Sequence, residues 1–138
     1  MNNHAAREFA LKVLYAWEIR DKEEIRNILA TFRERDKPEK QIYDYGEFLV
    51  QKVTEVLSVI DDLLQKQTEN WELKRLSTMD RNTLRLATAE LMFSKEIPYK
   101  VVIDEALELA KKYSTEKSAK FVNGVIDSIY RYLIENDL

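Results

Sequence analysis

Two short stretches of the chain concentrate the residue types that grip phosphate. Between Lys74 and Arg85 stand Lys74, Arg75, Arg81 and Arg85 against Asp80 alone; between Lys111 and Lys120 stand Lys111, Lys112, Lys117 and Lys120 against Glu116 alone. Arg7 and Lys12 add two cations near the amino terminus. Brought onto one surface, these residues would form a local basic field on a chain of formal net charge −3, as selective phosphate contact requires. At physiological salt the Debye length is about 8 Å, so the placement of charge matters more than its total. Aromatic residues border the same stretches: Tyr15, Tyr113 and Phe121. Unpaired bases stack on such rings, each worth about 1–3 kcal/mol. Charge clusters of this size also serve solubility, and Tyr15 and Phe121 suit core positions equally well. The pattern leaves both readings open.

Other chemistries are poorly served. There is no cysteine, which excludes disulfides, thiolate zinc sites and cysteine nucleophiles. The single histidine, His4, cannot build a His-based metal cluster and leaves a catalytic triad without support. The only two glycines, Gly46 and Gly124, stand too far apart for a phosphate-cradling loop. Asp61-Asp62 and Asp104-Glu105 are adjacent pairs on expected helices, where neighbours point to different faces and read as solvated charge. The expectation is a protein that catalyses nothing and carries neither metal nor cofactor.

One dipeptide conflicts with the rest of its stretch. KFVNGVIDSIY, residues 120–130, holds Asn123-Gly124 inside an apolar run, the strongest short-range signal for a hairpin turn. Yet Val122, Val125, Ile126, Ile129 and Leu133 recur at helical spacing. No neighbouring segment supplies a sheet. The pair is therefore expected within a helix, where glycine costs about 1 kcal/mol relative to alanine. Close approach of another helix over Gly124, with Asn123 hydrogen-bonding across the contact, would offset that cost.

Helices are the elements that must position these residues. With 45% hydrophobic residues but only two glycines and two prolines in 138 residues, the chain lacks the turn residues of a sandwich or barrel. Phe9, Ala10, Val13, Leu14 and Trp17 mark a first helix, and Ile25, Ile28, Leu29 and Phe32 a second. The charged stretch Arg33 to Lys40 reads as a break. Tyr45, Leu49, Val53, Val56, Ile60 and Leu63 then predict one long helix, ending in polar Gln65 to Asn70. Trp71, Leu73 and Leu76 suggest a short helical turn. Ser77 with Asp80 three places on reads as a capped start, and the helix over 80–95 is apolar on nearly all sides, which places it among others. Pro98 fits the first turn of the next helix, and Ser114-Thr115 fit a cap before the last. The fold class is all-α, six or seven helices forming one domain over 1–138. Within it we expect two packed three-helix subdomains, about 1–68 and about 71–138. No apolar run approaches the roughly 20 residues of a membrane helix, and the first 20 residues do not pattern as a secretory signal. A soluble cytoplasmic protein is expected.

The stretches DRNTLRLATAELMF and IPYKVVIDEALELAKKYSTEKSAKFVNGVIDSIY closely resemble the NusB family of bacterial transcription antitermination factors, IPYKVVIDEA and KFVNGV being the most specific. The opening AAREFALKVLYAWE resembles that family's first helix, while residues 20–70 agree only in helical pattern. The resemblance implies a NusB-like protein that binds single-stranded boxA RNA together with a small-subunit ribosomal protein acting as NusE. It also implies loading, with other Nus factors, onto the RNA polymerase elongation complex, supporting transcription of ribosomal RNA operons.

Carried over residue by residue, the resemblance assigns Arg7, Tyr15, Asp80, Lys120 and Phe121 to RNA. It assigns Tyr99, Asp104, Glu105 and Glu108 to the protein partner, where carboxylates would steer a basic ribosomal protein. One departure stands out: the chain opens MNNHAARE, with only His4 and Arg7 where the family often carries several arginines. Fewer phosphate contacts predict weaker binding without the partner and a shallow salt dependence. The alternatives are a helical adaptor that binds protein alone, or the RNA-binding domain of a ribosomal RNA cytosine methyltransferase. The methyltransferase would need a glycine-rich cofactor loop and a cysteine for its covalent step, neither of which is present.

Overall fold

The side chains of α1, His4–Ile19, are apolar on more than one side, so several other elements pack against it. Ala6, Phe9, Ala10, Leu11, Val13, Leu14 and Trp17 are all buried, covering more than one face of the cylinder. In the computed structural model, which describes residues 3–21, 23–68 and 70–138, six further helices follow among those residues. They are α2 (Ile25–Asp36), α3 (Lys40–Glu55), α4 (Leu57–Gln67), α5 (Thr78–Phe93), α6 (Tyr99–Tyr113) and α7 (Glu116–Glu135), with a single 3-10 turn at Leu73–Arg75 between α4 and α5. The fold is all-α, and no helix among the described residues is long and apolar enough to cross a membrane.

α5 lies at the centre. It packs against α1, α3, α4, α6 and α7, and every residue from Asn82 to Glu90 is buried, as its all-round apolar pattern predicts. Its start follows the capping rule: the Ser77 hydroxyl accepts from the Asp80 N–H at 3.1 Å. Thr115 does the same for α7, accepting from the Ser118 N–H at 2.9 Å. Pro98 sits just ahead of α6, not inside its first turn.

Three boundaries depart from the sequence reading. α2 runs through Arg33 to Asp36 instead of breaking there, and ends at Lys37, whose φ of 45° closes the helix ahead of Pro38. Charged residues keep helical backbone where one side remains wet. The long helix expected from Tyr45 to Leu63 begins at Lys40 and is divided at Val56 (φ −120°, ψ 33°). α3 packs on α1 and α5 while α4 packs on α5 and α7, and a straight continuation could not turn from α1 to α7.

The close helix approach expected at Gly124 occurs at Gly46 instead. A Cβ on Gly46 would stand 2.9 Å from Phe9 Cδ2 and 3.2 Å from the Ala6 carbonyl oxygen, so α1 and α3 meet where only hydrogen fits. At Gly124 a Cβ would meet nothing within 4 Å, and Asn123 is exposed instead of bonded across a contact. The pair does lie inside a helix, but packing does not explain its glycine.

Candidate nucleic-acid interface

Phe121 lies on the second turn of α7, half-buried, and its ring meets Trp71 edge to face, with centroids 5.5 Å apart and planes at 69°. Trp71 is 57% exposed. Beside them opens a cleft of about 330 Å³, bordered by Gln67, Asn70, Trp71, Lys120, Phe121 and Gly124. Two ring surfaces, one exposed ammonium and two carboxamides here share one open depression. Carboxamides both donate and accept, so they can pair with the edge of a base. The arrangement fits an unpaired nucleotide, whose base needs a flat partner and whose phosphate needs a cation.

The wall carrying Trp71 is held by side chains distant in sequence. The Gln65 carboxamide donates to the Trp71 carbonyl at 2.7 Å and accepts from the Leu73 N–H at 2.9 Å. Arg81 donates to the carbonyls of Leu73 and Leu76 at 3.2 and 2.7 Å. The wall carrying Phe121 is held by the Ser118 hydroxyl, which donates to Asp80 Oδ2 at 2.9 Å and so ties the start of α7 to that of α5.

The expected RNA residues separate under this geometry. Lys120 and Phe121 come together at the cleft. Tyr15, 38% exposed, lies in another groove with Lys12, Arg20, Phe32, Arg35 and Met79. Asp80 is buried and bonded to Ser118, so it braces two helix ends and offers little surface to a ligand. Arg7 is corrected more sharply. It is 3% exposed and grips Glu90 with two hydrogen bonds of 2.7 and 2.8 Å. A guanidinium committed to an internal carboxylate cannot also serve a phosphate outside.

The basic stretch Lys74 to Arg85 is corrected for the same reason. Arg81 is bonded to Glu18, and Arg85 joins Glu18 at 2.6 Å and Asp61 through two bonds of 2.8 Å. Burial pushes the Glu18 carboxyl up, but hydrogen bonds from Arg81 and Arg85 outweigh it and hold its pKa below the ordinary value. Lys74 and Arg75 alone face solvent from that stretch, beside Glu72. In the second stretch Lys112 bonds Glu8 at 2.6 Å, while Lys111, Lys117 and Lys120 stay exposed.

On α6 the expected partner residues also divide. Asp104 and Glu108 are exposed on one face with Val101, which is 41% exposed. Glu105 turns inward, 2.5 Å from His4 Nδ1 and 3.8 Å from Arg7. Tyr99 stacks on Tyr130 with centroids 3.9 Å apart, and its hydroxyl donates to Asp127 at 3.1 Å. Burial, then that bond to a carboxylate, push the phenol up to about 12.

Sequence reasoning missed Trp71 and Gln65. The spacing of Trp71 with Leu73 and Leu76 suggests only a short helical turn, although a large ring between polar neighbours, outside any helical stripe, is a signal that packing does not claim it. Gln65 carried no signal, because its two backbone partners are fixed only by the folded turn.

A model of the NusB family matches residues 4–131. A transcription antitermination protein NusB of Salinibacter ruber is 40% identical over 124 residues, covering 90% of this chain and 78% of its own. That of Thermotoga maritima is 58% identical over 80 residues, a match spanning 56% of the relative's length. Among solved structures, T. maritima NusB superposes with a TM-score of 0.88 at 42% identity, covering 95% of this chain and 92% of that one. A structure of the antitermination factors NusB and NusE with double-stranded RNA superposes with a TM-score of 0.86 at 35% identity, covering 94% and 96%.

Proposed function

Since the chain belongs to the NusB family, we propose that it is a transcription antitermination factor. It captures single-stranded boxA RNA together with a small-subunit ribosomal protein acting as NusE, and the pair joins the RNA polymerase elongation complex. The setting is the bacterial cytoplasm, and the role is to bind, with no reaction catalysed. The observation that carries the RNA half is the cleft in which Trp71, Phe121 and Lys120 meet. Base stacking is sequence-tolerant and worth about 1–3 kcal/mol per ring, so two rings with a lysine provide a foothold that the ribosomal partner reinforces. For that partner the exposed α6 face of Val101, Asp104 and Glu108 offers carboxylates to a basic surface.

The test is anisotropy titration of labelled boxA RNA with and without the ribosomal protein. Trp71→Ala and Lys120→Ala should each weaken capture, Trp71→Ala by about 5–150-fold if one stack is lost. Undiminished binding by both variants would overturn the reading. The burial of Arg7 favours a second reading, a helical adaptor that binds protein alone. It predicts partner binding with no RNA affinity at any protein concentration in the same titration.

A further inference from the structure

A glycine inside a helix is explained by backbone conformation or by crowding, and Gly124 satisfies neither. Among the described residues no glycine has positive φ, so an alanine could adopt its conformation. A Cβ there would meet nothing within 4 Å, so no neighbour demands its absence. What Gly124 does border is the cleft, one turn along α7 from Lys120 and Phe121 and on the same side of the helix.

The two rings restrict how a base can enter. At 5.5 Å and 69° they cannot be parted by a third ring, since a parallel sandwich needs two spacings of about 3.5 Å each. A base must instead lie against one outer ring face, with the rest of its surface over the neighbouring backbone. At Gly124 that backbone is bare, and any side chain would occupy the space. Asn70 and Gln67 also line the cleft, and their amides can both donate to and accept from a base edge. We propose that Gly124 is the floor of a slot for one unpaired nucleobase, cornered by Trp71 and Phe121 with Lys120 on the adjoining phosphate. The proposal rests on the RNA-binding reading and assigns this glycine a place in it.

The experiment sets stability against affinity in one variant. Gly124→Ala should raise Tm by about 3–5 °C, because alanine is the better helix former and nothing obstructs it. It should also weaken binding of a labelled single-stranded boxA oligonucleotide about tenfold, and Gly124→Leu more. A series of the same oligonucleotide with one base removed at a time completes the cycle. One abasic position should cost the unmodified protein affinity and cost Gly124→Ala nothing further, since the slot is already filled. Unchanged affinity for Gly124→Ala, with Trp71→Ala and Lys120→Ala weakened, would overturn the slot and leave the RNA reading standing. Undiminished binding by all three would remove both. A fall in Tm for Gly124→Ala, or additive losses at every abasic position, would overturn the slot by showing that the glycine serves the fold.

Discussion

Arg7 and Lys120 carry the same charge and end in opposite surroundings. Residue type placed both among the phosphate ligands, but Arg7 finds Glu90, far along the chain, while Lys120 finds solvent. Nothing local to AAREF announces that pairing; it exists only once α1 lies on α5. Removing one partner of a buried ion pair strands the other charge, so Arg7→Ala should lose about 3–5 kcal/mol. Arg7→Met with Glu90→Leu should recover most of that loss. Thermal melting of both variants checks this, and Lys120→Ala should melt within about 0.5 kcal/mol of the unmodified chain. Phe121 was legible as a ring at a helix start. Whether it faced core or water was not, because helical spacing gives the face and not what covers it.

Among elements, the caps at Ser77 and Thr115 were readable because a cap is a contact between residues three apart. The division at Val56 was not, since it answers to α1 on one side and to α7 on the other. Gly46 belongs to the same class: its reason lies on α1, at Phe9 and Ala6. Gly46→Ala should lose about 1–3 kcal/mol by overpacking, measured by chemical denaturation. That loss would be opposite in sign to the gain expected at Gly124. Gln65 is the other element-scale hinge of function. Its two bonds clamp the turn bearing Trp71, so Gln65→Ala in a Trp17→Phe background should lower the emission anisotropy of Trp71 while leaving the helical circular dichroism unchanged. Equal anisotropy in both proteins would show that the clamp is redundant.

For the whole molecule, pH acts at both ends of the scale. The Glu18 carboxyl titrates below its unfolded value of 4.5, so its contribution is complete above that pH and is lost as pH falls through the lower folded value. The Tyr99 phenol is raised from 10 to about 12, so its contribution is complete below pH 10 and is lost as pH climbs from there to about 12. Denaturation midpoints across pH should therefore decline at both extremes, and Tyr99→Phe should soften the alkaline decline. Salt dependence also follows from the pairing of Arg7, Arg81 and Arg85 with carboxylates of the chain itself. With Lys74, Arg75, Lys111, Lys117 and Lys120 exposed in the two basic stretches, at most about five phosphates are met, and log K should fall with log salt at a slope no steeper than about −3.5 for a single strand. A slope beyond about −5 would reject so small a footprint.

A single carboxylate, that of Glu90, receives Arg7 from α1 and the Tyr45 hydroxyl from α3 at 2.5 Å. α5 is thereby fastened to two helices that precede residue 68. α2 and α6, which lie on either side of residue 70 in the sequence, should open at different free energies. The amides around that carboxylate have no such freedom: the turns of α1, α3 and α5 that carry Arg7, Tyr45 and Glu90 should share one slow deuterium uptake rate, set by cooperative unfolding of the entire chain.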